Sequence, residues 1–391
     1  MIANMSQTFA VFFRFLTLGL LSFGGPIAHI GYFQKTFVER LQWLDQAAFM
    51  KLTTLCQVLP GPASSQLGFA IGLQRAGISG ALAAFIGFTL PSFIIMTCVA
   101  TYAPVDHPQV IAIIAGLKLA AVVVVADACM TMFQRFCDTP FRKGVAAVTT
   151  LSILLWPSAI TQIGLLAIAA VAGTRPQIHW PEALRSTRSR LFSAPGLALA
   201  GFALILVVTP VLLLMDDWSR LWAMFYQAGS LVFGGGHVVL PLLEAQVGDL
   251  MEQDQFLMGY ASAQAIPGPM FTFASFLGAE ILPQTPWIAA LVATLAIFTP
   301  GFLLVLAFVR GWNNANDNPA LNAVFARVNA AVVGLLLAAL VQPVLVSAVH
   351  GGLDTFLVLV GLLAVRLFKL SVLWLLLGMV VIALARNLTG F

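Results

Sequence analysis

Two passages of this chain, 210 residues apart, interrupt a very apolar sequence with the same pair of glycine–proline breaks. The first half carries Ser22-Phe23-Gly24-Gly25-Pro26 and Gln57-Val58-Leu59-Pro60-Gly61-Pro62. The second carries Val232-Phe233-Gly234-Gly235-Gly236 and Gln264-Ala265-Ile266-Pro267-Gly268-Pro269. Later blocks keep the order: Pro91-Ser92-Phe93 is answered by Pro300-Gly301-Phe302, and Leu119-Ala120-Ala121-Val122-Val123 by Asn329-Ala330-Ala331-Val332-Val333. These blocks mark an internal repeat. Broken apolar helices at corresponding places in two halves point to the substrate site of a secondary transporter.

The rest of the sequence agrees with that class. With 60% hydrophobic and 9% charged residues, the chain cannot cover a soluble surface, which carries about 25% charge. Segments such as 78–102 and 321–347 are long enough for a hydrocarbon core of about 30 Å, so the expected partner is a lipid bilayer and the fold all-α and polytopic. The formal charge of +4 is spread over short loops without interleaved aromatics, which excludes a nucleic-acid surface. Cys56, Cys98, Cys129 and Cys137 lack C-x-x-C spacing, so no metal site or disulfide framework is expected. Residues 1–20 lack a basic n-region and an A-x-A site and are read as part of the first repeat, not as a signal peptide. No H-E-x-x-H, paired catalytic carboxylates or nucleophile beside a base is present; neither an enzyme nor a bound cofactor is expected.

Lysine and arginine placement sets the topology, because cytoplasmic loops hold their excess. Loops with Lys35 and Arg40, with Arg75, with Arg135, Arg142 and Lys143, and with Arg175, Arg185, Arg188 and Arg190 read as inside. The loop at 103–108 reads as outside. In the second half, the counterpart of 35–45 holds Glu244, Asp249, Glu252 and Asp254 without a basic residue, so it reads as outside. The expected arrangement is two inverted-topology repeats, 1–174 and 218–391, joined by a basic loop and one linking helix over 175–217. Segments 145–156 and 160–172 are short for spanning helices.

The pieces flanking each break, such as 9–21 and 45–59, amount to about 20 Å of helix and reach mid-membrane. They are discontinuous or re-entrant: each pair forms a hairpin with its tip near the midplane, or the first break is one discontinuous crossing with an outside N-terminus. Such exposed backbone is tolerated only inside protein or beside a water-filled cavity. Gly24, Gly25, Gly61, Gly234, Gly235, Gly236 and Gly268 allow tight turns and close approach of a ligand to backbone. Pro26, Pro60, Pro62, Pro267 and Pro269 frame the turns, with Pro26 and Pro62 suited to the first turn of an outgoing helix. Four outgoing helix N-termini aimed at the centre suit a dianion. Ser64, Ser65, Gln66 and Thr272 add hydroxyl or amide donors, and Gln57 and Gln264 stand three residues before the prolines. The competing reading is that these side chains only cap half-helices and satisfy backbone freed by proline. The second half replaces Ser64-Ser65-Gln66 with Phe271-Thr272-Phe273, so the site is expected to be asymmetric.

Ionisable groups at membrane depth are functional candidates. Lys118, near the middle of 109–133, is a candidate counter-charge for substrate or one half of an internal pair. Asp127, nine residues on, falls on the opposite helix face and is not its expected partner. Arg14 is a second candidate counter-charge or an interface anchor, and Asp127 a candidate for coupling. His29 and His237, just after the glycine breaks, are candidate donors or proton carriers, weighed against packing roles.

On these motifs the chain resembles the chromate transporter family in its two-domain, long-chain form. The likeness rests on residues 12–20 leading into Ser22-Phe23-Gly24-Gly25-Pro26, on Gln57 to Pro62, and on 77–91 in the first half. Phe233-Gly234-Gly235-Gly236-His237 and Ala265-Ile266-Pro267-Gly268-Pro269 carry it in the second. The resemblance implies a multi-pass protein of the bacterial inner membrane that exports chromate and thereby confers resistance, with sulfate as a close analogue; the alternative reading is a transporter of sulfate, phosphate or another oxyanion. A coupling ion, proton or sodium, and a homodimer are left open.

Overall fold

The computed structural model describes residues 2–103, 107–172, 193–233, 239–309 and 319–389. All regular structure among them is helical. The first repeat runs α1 (Ile2–Leu21), α2 (Gly25–Phe33) with a π-turn continuation, α3 (Gln46–Val58), α4 (Ala63–Tyr102), α5 (Pro108–Phe136), α6 (Pro140–Leu155) and α7 (Ala159–Val171). The linking helix α8 is Ala194–Leu212. The second repeat runs α9 (Asp217–Leu231), α10 (Val239–Val247), α11 (Gln253–Ala265), α12 (Phe273–Ile281), α13 (Pro286–Phe308), α14 (Pro319–Ala339), α15 (Gly352–Phe368) and α16 (Val372–Thr389). Five described helices are long and apolar enough to cross a membrane: Ala63–Tyr102, Pro108–Phe136, Ala194–Leu212, Pro286–Phe308 and Ala323–Ala348. Leu197, Leu204, Val207 and Val211 on α8 are exposed, as expected of a helix that links two bodies through lipid.

α4 is two helices. Ala76 and Gly77 leave helical geometry (Gly77 φ 67°), and the backbones of Gly72 and Gly80 touch, so the chain doubles back there. α12 and α13 repeat this hairpin, with Gly278 against Ala289 and Ala293. Small residues at these crossings let backbones approach, as packing between apolar helices requires.

The first glycine break is a hairpin. Beyond it, Phe33 and Phe37 return to Phe15 of α1, ring centroids 5.4 and 4.9 Å away. α3 and the first limb of α4 form a second hairpin: the Arg75 guanidinium lies 5.0 Å over the Trp43 ring that precedes α3. Both first-repeat breaks are therefore hairpins of two helices, which favours the hairpin reading over one discontinuous crossing. The first half-helix is longer than expected. α1 spans 20 residues, because nothing in 2–8 breaks it and Thr8 bonds Ser79 at 3.0 Å.

The repeats enter the bundle from opposite ends. The base of the first-repeat hairpins lies at the bend of α4, at Arg75. The base of the second-repeat hairpin, at Trp287 in the first turn of α13, lies instead against Phe93, far along the second limb of α4 from that bend, with ring centroids 6.3 Å apart. Both sets of hairpins therefore meet tip to tip.

Candidate functional site: the junction of the broken helices

The tips are joined by a reciprocal exchange of backbone hydrogen bonds. Gly61 N–H donates to the Val232 carbonyl at 2.7 Å, and Gly268 N–H donates to the Ser22 carbonyl at 3.0 Å. Ser22 and Val232 are repeat counterparts, as are Gly61 and Gly268, so each proline–glycine turn holds the other repeat's glycine break. The packing is reciprocal as well. A Cβ on Gly61 would stand 3.0 Å from Gly301 Cα, and one on Gly268 would stand 2.8 Å from Ser92 Oγ. Ser92 and Gly301 are the residues after Pro91 and Pro300. Both turn glycines are left-handed, φ +125° and +100°, which a side chain rarely tolerates. Their requirement for glycine is thus set by inter-repeat packing as well as by any ligand.

His29 ties this junction together. It is buried, with Nε2 3.2 Å from the Ser22 carbonyl and Nδ1 3.3 Å from Ser64 Oγ. A carbonyl only accepts, so Nε2 carries the proton and Nδ1 accepts from the serine hydroxyl. The Ser22 carbonyl then receives two donors, one from each repeat. Gln66 Nε2 donates to the Pro60 carbonyl at 2.9 Å and to the Gly301 carbonyl at 3.2 Å, holding the first turn in shape and fastening it to the second repeat.

Against these satisfied groups stand four that are not. Ser22 Oγ, Ser65 Oγ, Gln66 Oε1 and Thr89 Oγ1 are sealed from solvent without a hydrogen-bond partner, each on a residue at most 4% exposed. Orphaned buried polar atoms are rare and costly. The helix ends tell the same story. In the first repeat, α3, α5, α6 and α7 start with side-chain caps from Asp45, His107, Thr139 and Ser158. The helices that start at the tips, after Gly24 and Pro62, have none. Their leading amides face the junction without a cap, the arrangement that receives an anion.

The remaining candidates divide. Thr272 donates to the Pro269 carbonyl at 2.7 Å, which satisfies backbone at the turn, and Gln264 is hydrogen-bonded with the Tyr260 side chain. Gln57 lies on an exposed face, 3.4 Å from Arg135 Nη2. Gly25, with Pro26 in the first turn of α2, has φ +76° and nothing within 4 Å of the place a Cβ would take, while Pro267 leads into the second turn. Gly234, Gly235, Gly236 and His237 lie outside the described residues. Among the charges, Lys118 does not stand free: it is buried and paired with Asp254. Asp127 pairs with Arg366 at 2.9 Å. Arg14 points outward, between the exposed Phe13 and Thr17, so it does not reach the tips. Arg327 donates to the carbonyls of Ala169 and Ala170 at 3.3 and 3.4 Å, closing the C-terminus of α7. Asp254 and Arg366 were missed as partners because they are 136 and 239 residues from Lys118 and Asp127. Ser22 and Thr89 were not among the sequence candidates, although each stands two residues before a break or a helix proline. Among the described residues no group of three or more His, Cys, Asp or Glu is placed to hold a metal.

Comparison with known proteins agrees with this architecture. The family model described as "Chromate transporter" matches residues 9–174 and again 219–384. A probable chromate transport protein of Synechococcus elongatus is 31% identical over 90% of this chain and 87% of its own length. Chromate transport proteins of Pseudomonas aeruginosa and Cupriavidus metallidurans are 28% and 27% identical, over 83% and 84% of this chain and 78% and 80% of their own lengths. No solved structure matches. Two family-model matches, one on each repeat, together with these relatives, place this multi-pass membrane protein in the chromate transporter family.

Proposed function

We propose that the protein exports chromate from the cytoplasm by alternating access, with the anion bound at the junction of the four tips, and that this export confers chromate resistance. The observation that carries the reading is the reciprocal exchange of Gly61 with Val232 and of Gly268 with Ser22. Two inverted hairpin sets whose tips exchange backbone bonds at one junction can rock about it and expose it to one side at a time. The paired state of Lys118 and the outward course of Arg14 leave the junction to helix N-termini and hydroxyls, without a full positive charge. An anion held by amides and hydroxyls alone is bound and also released. The test is accumulation of labelled chromate in everted membrane vesicles. Vesicles with the protein are expected to accumulate it above protein-free controls, and right-side-out vesicles are not. Accumulation in neither orientation, or only in right-side-out vesicles, overturns the export reading.

A further inference from the structure

The Gln66 side chain is held in one orientation. Its amide nitrogen faces two carbonyls, of Pro60 and Gly301, and carbonyls only accept, so the amide cannot be flipped. Oε1 is therefore committed to the other side, where it is buried without a partner. The neighbouring Ser65 hydroxyl is also unpartnered, as are those of Ser22, tied to Ser64 through His29, and Thr89, one turn before Ser92. Hydroxyls donate or accept as needed. Gln66 Oε1 can only accept. Atoms this well sealed meet a ligand only once the hairpins part, and a ligand that then satisfies the whole set brings acceptor oxygens for the hydroxyls and uncapped amides, and one hydrogen for Gln66.

We propose that the first-repeat tip binds a tetrahedral oxyanion in its singly protonated form, its O–H donating to Gln66 Oε1 and its other oxygens accepting from Ser22, Ser65, Thr89 and the amides after Pro62. This rests on the transport reading above and adds the protonation state of the cargo. A fully deprotonated dianion would set an oxygen lone pair against Oε1 in a site sealed from water, where an unmatched acceptor pair costs much affinity. Chromate takes up a proton near neutral pH, whereas sulfate and selenate, of the same shape, stay dianionic. One fixed acceptor thus separates isosteric anions by their acidity. The same oxygens form a set a sodium ion would accept, but the positive end of the uncapped helix after Pro62 disfavours a cation there. His29 is the titratable group bonded to this network; Lys118 is paired with Asp254, and Arg135 with Gln57.

The experiment measures equilibrium binding of chromate, sulfate and selenate to the full-length protein in lipid nanodiscs, from mildly basic to mildly acidic buffer. Chromate affinity is expected to rise about tenfold on acidification while sulfate and selenate stay weak and flat. A parallel rise for all three anions would assign the effect to His29 and overturn the proposal, as would equal affinity for chromate and sulfate throughout. Chromate binding that required sodium would overturn it in favour of a cation site. Ser65→Ala and Thr89→Val remove hydroxyls that make no hydrogen bond, so thermal stability is expected to hold or rise while chromate affinity falls about tenfold. Parent-like binding by both variants removes the tip as the ligand site. Failure of the parent to export chromate from everted vesicles would instead strike the transport reading, independently of the binding profile.

Discussion

At the tip of the first repeat, Ser22, Ser65, Gln66 and Thr89 each bury a polar atom without a partner; at the corresponding places of the second stand Val232, Thr272, Phe273 and Phe298. Thr272 satisfies itself on the Pro269 carbonyl. Phe273 packs against Phe256 and Tyr260, with centroids 5.2 and 6.0 Å away, and Phe298 against Phe85 at 5.1 Å. The backbones, by contrast, are alike: both turns keep a left-handed glycine, and both donate across the repeat boundary. Duplication has preserved the backbone junction and let the side chains diverge: among the described residues, unmatched polar atoms stand at the first tip and apolar packing takes their places at the second.

The largest effect that would probe this comparison is at the turn glycines. Gly61→Ala adds left-handed strain of about 1–3 kcal/mol and a collision with Gly301 backbone, so chromate export is expected to be lost and the detergent-solubilised protein to unfold at lower temperature. Gly268→Ala meets the Ser92 hydroxyl first, which can turn away, so it is expected to lose less. Ser92→Gly, which copies the second-repeat residue into the first, should restore part of the Gly268→Ala loss. A Gly268→Ala defect equal to that of Gly61→Ala and insensitive to Ser92→Gly would show that the turns act through something other than this packing.

Smaller is Phe273→Gln, which gives the second tip the first tip's residue. An amide among Phe256, Tyr260 and their neighbours is expected to cost about 1–3 kcal/mol in thermal unfolding, with chromate affinity per folded molecule unchanged. A gain in affinity would show that both tips take ligand and would break the division into polar tip and apolar wall.

The smallest effect concerns the pair that bridges the repeats away from the tips. Asp254 is 63% exposed on its side chain, so solvent screens the bond to Lys118. Lys118→Met and Asp254→Asn are each expected to lower stability by about 1 kcal/mol, with near-parental chromate binding. Severe loss of binding in a well-folded Lys118→Met protein would make this lysine a substrate counter-charge after all.

Much of this fold was legible because glycine and proline act locally. The breaks at Gly24, Gly61 and Gly268 and the bend near Gly77 follow from residues that cannot continue a helix or must turn left-handed. Helix faces were not legible. Arg14 and Gln57 sit on outward surfaces, yet a helix between lipid and protein is apolar on both sides, so periodicity does not say which way a residue points. The partners of Lys118 and Asp127 were equally hidden, since each lies in the other half of the chain.

By itself the sequence determined a duplicated, inverted, helical membrane protein with broken helices at matching places, and its motifs carried the family likeness. These are properties of composition and local backbone preference. Only the tertiary structure decided that the first-repeat breaks are hairpins, that each proline–glycine turn donates to the opposite repeat, and that, among the described residues, four polar atoms remain unmatched at the first tip. Hydrogen bonds between residues such as Gly61 and Val232 exist only once the two repeats pack. Whether a buried hydroxyl has a partner depends on every neighbour that packing brings within about 3 Å of it.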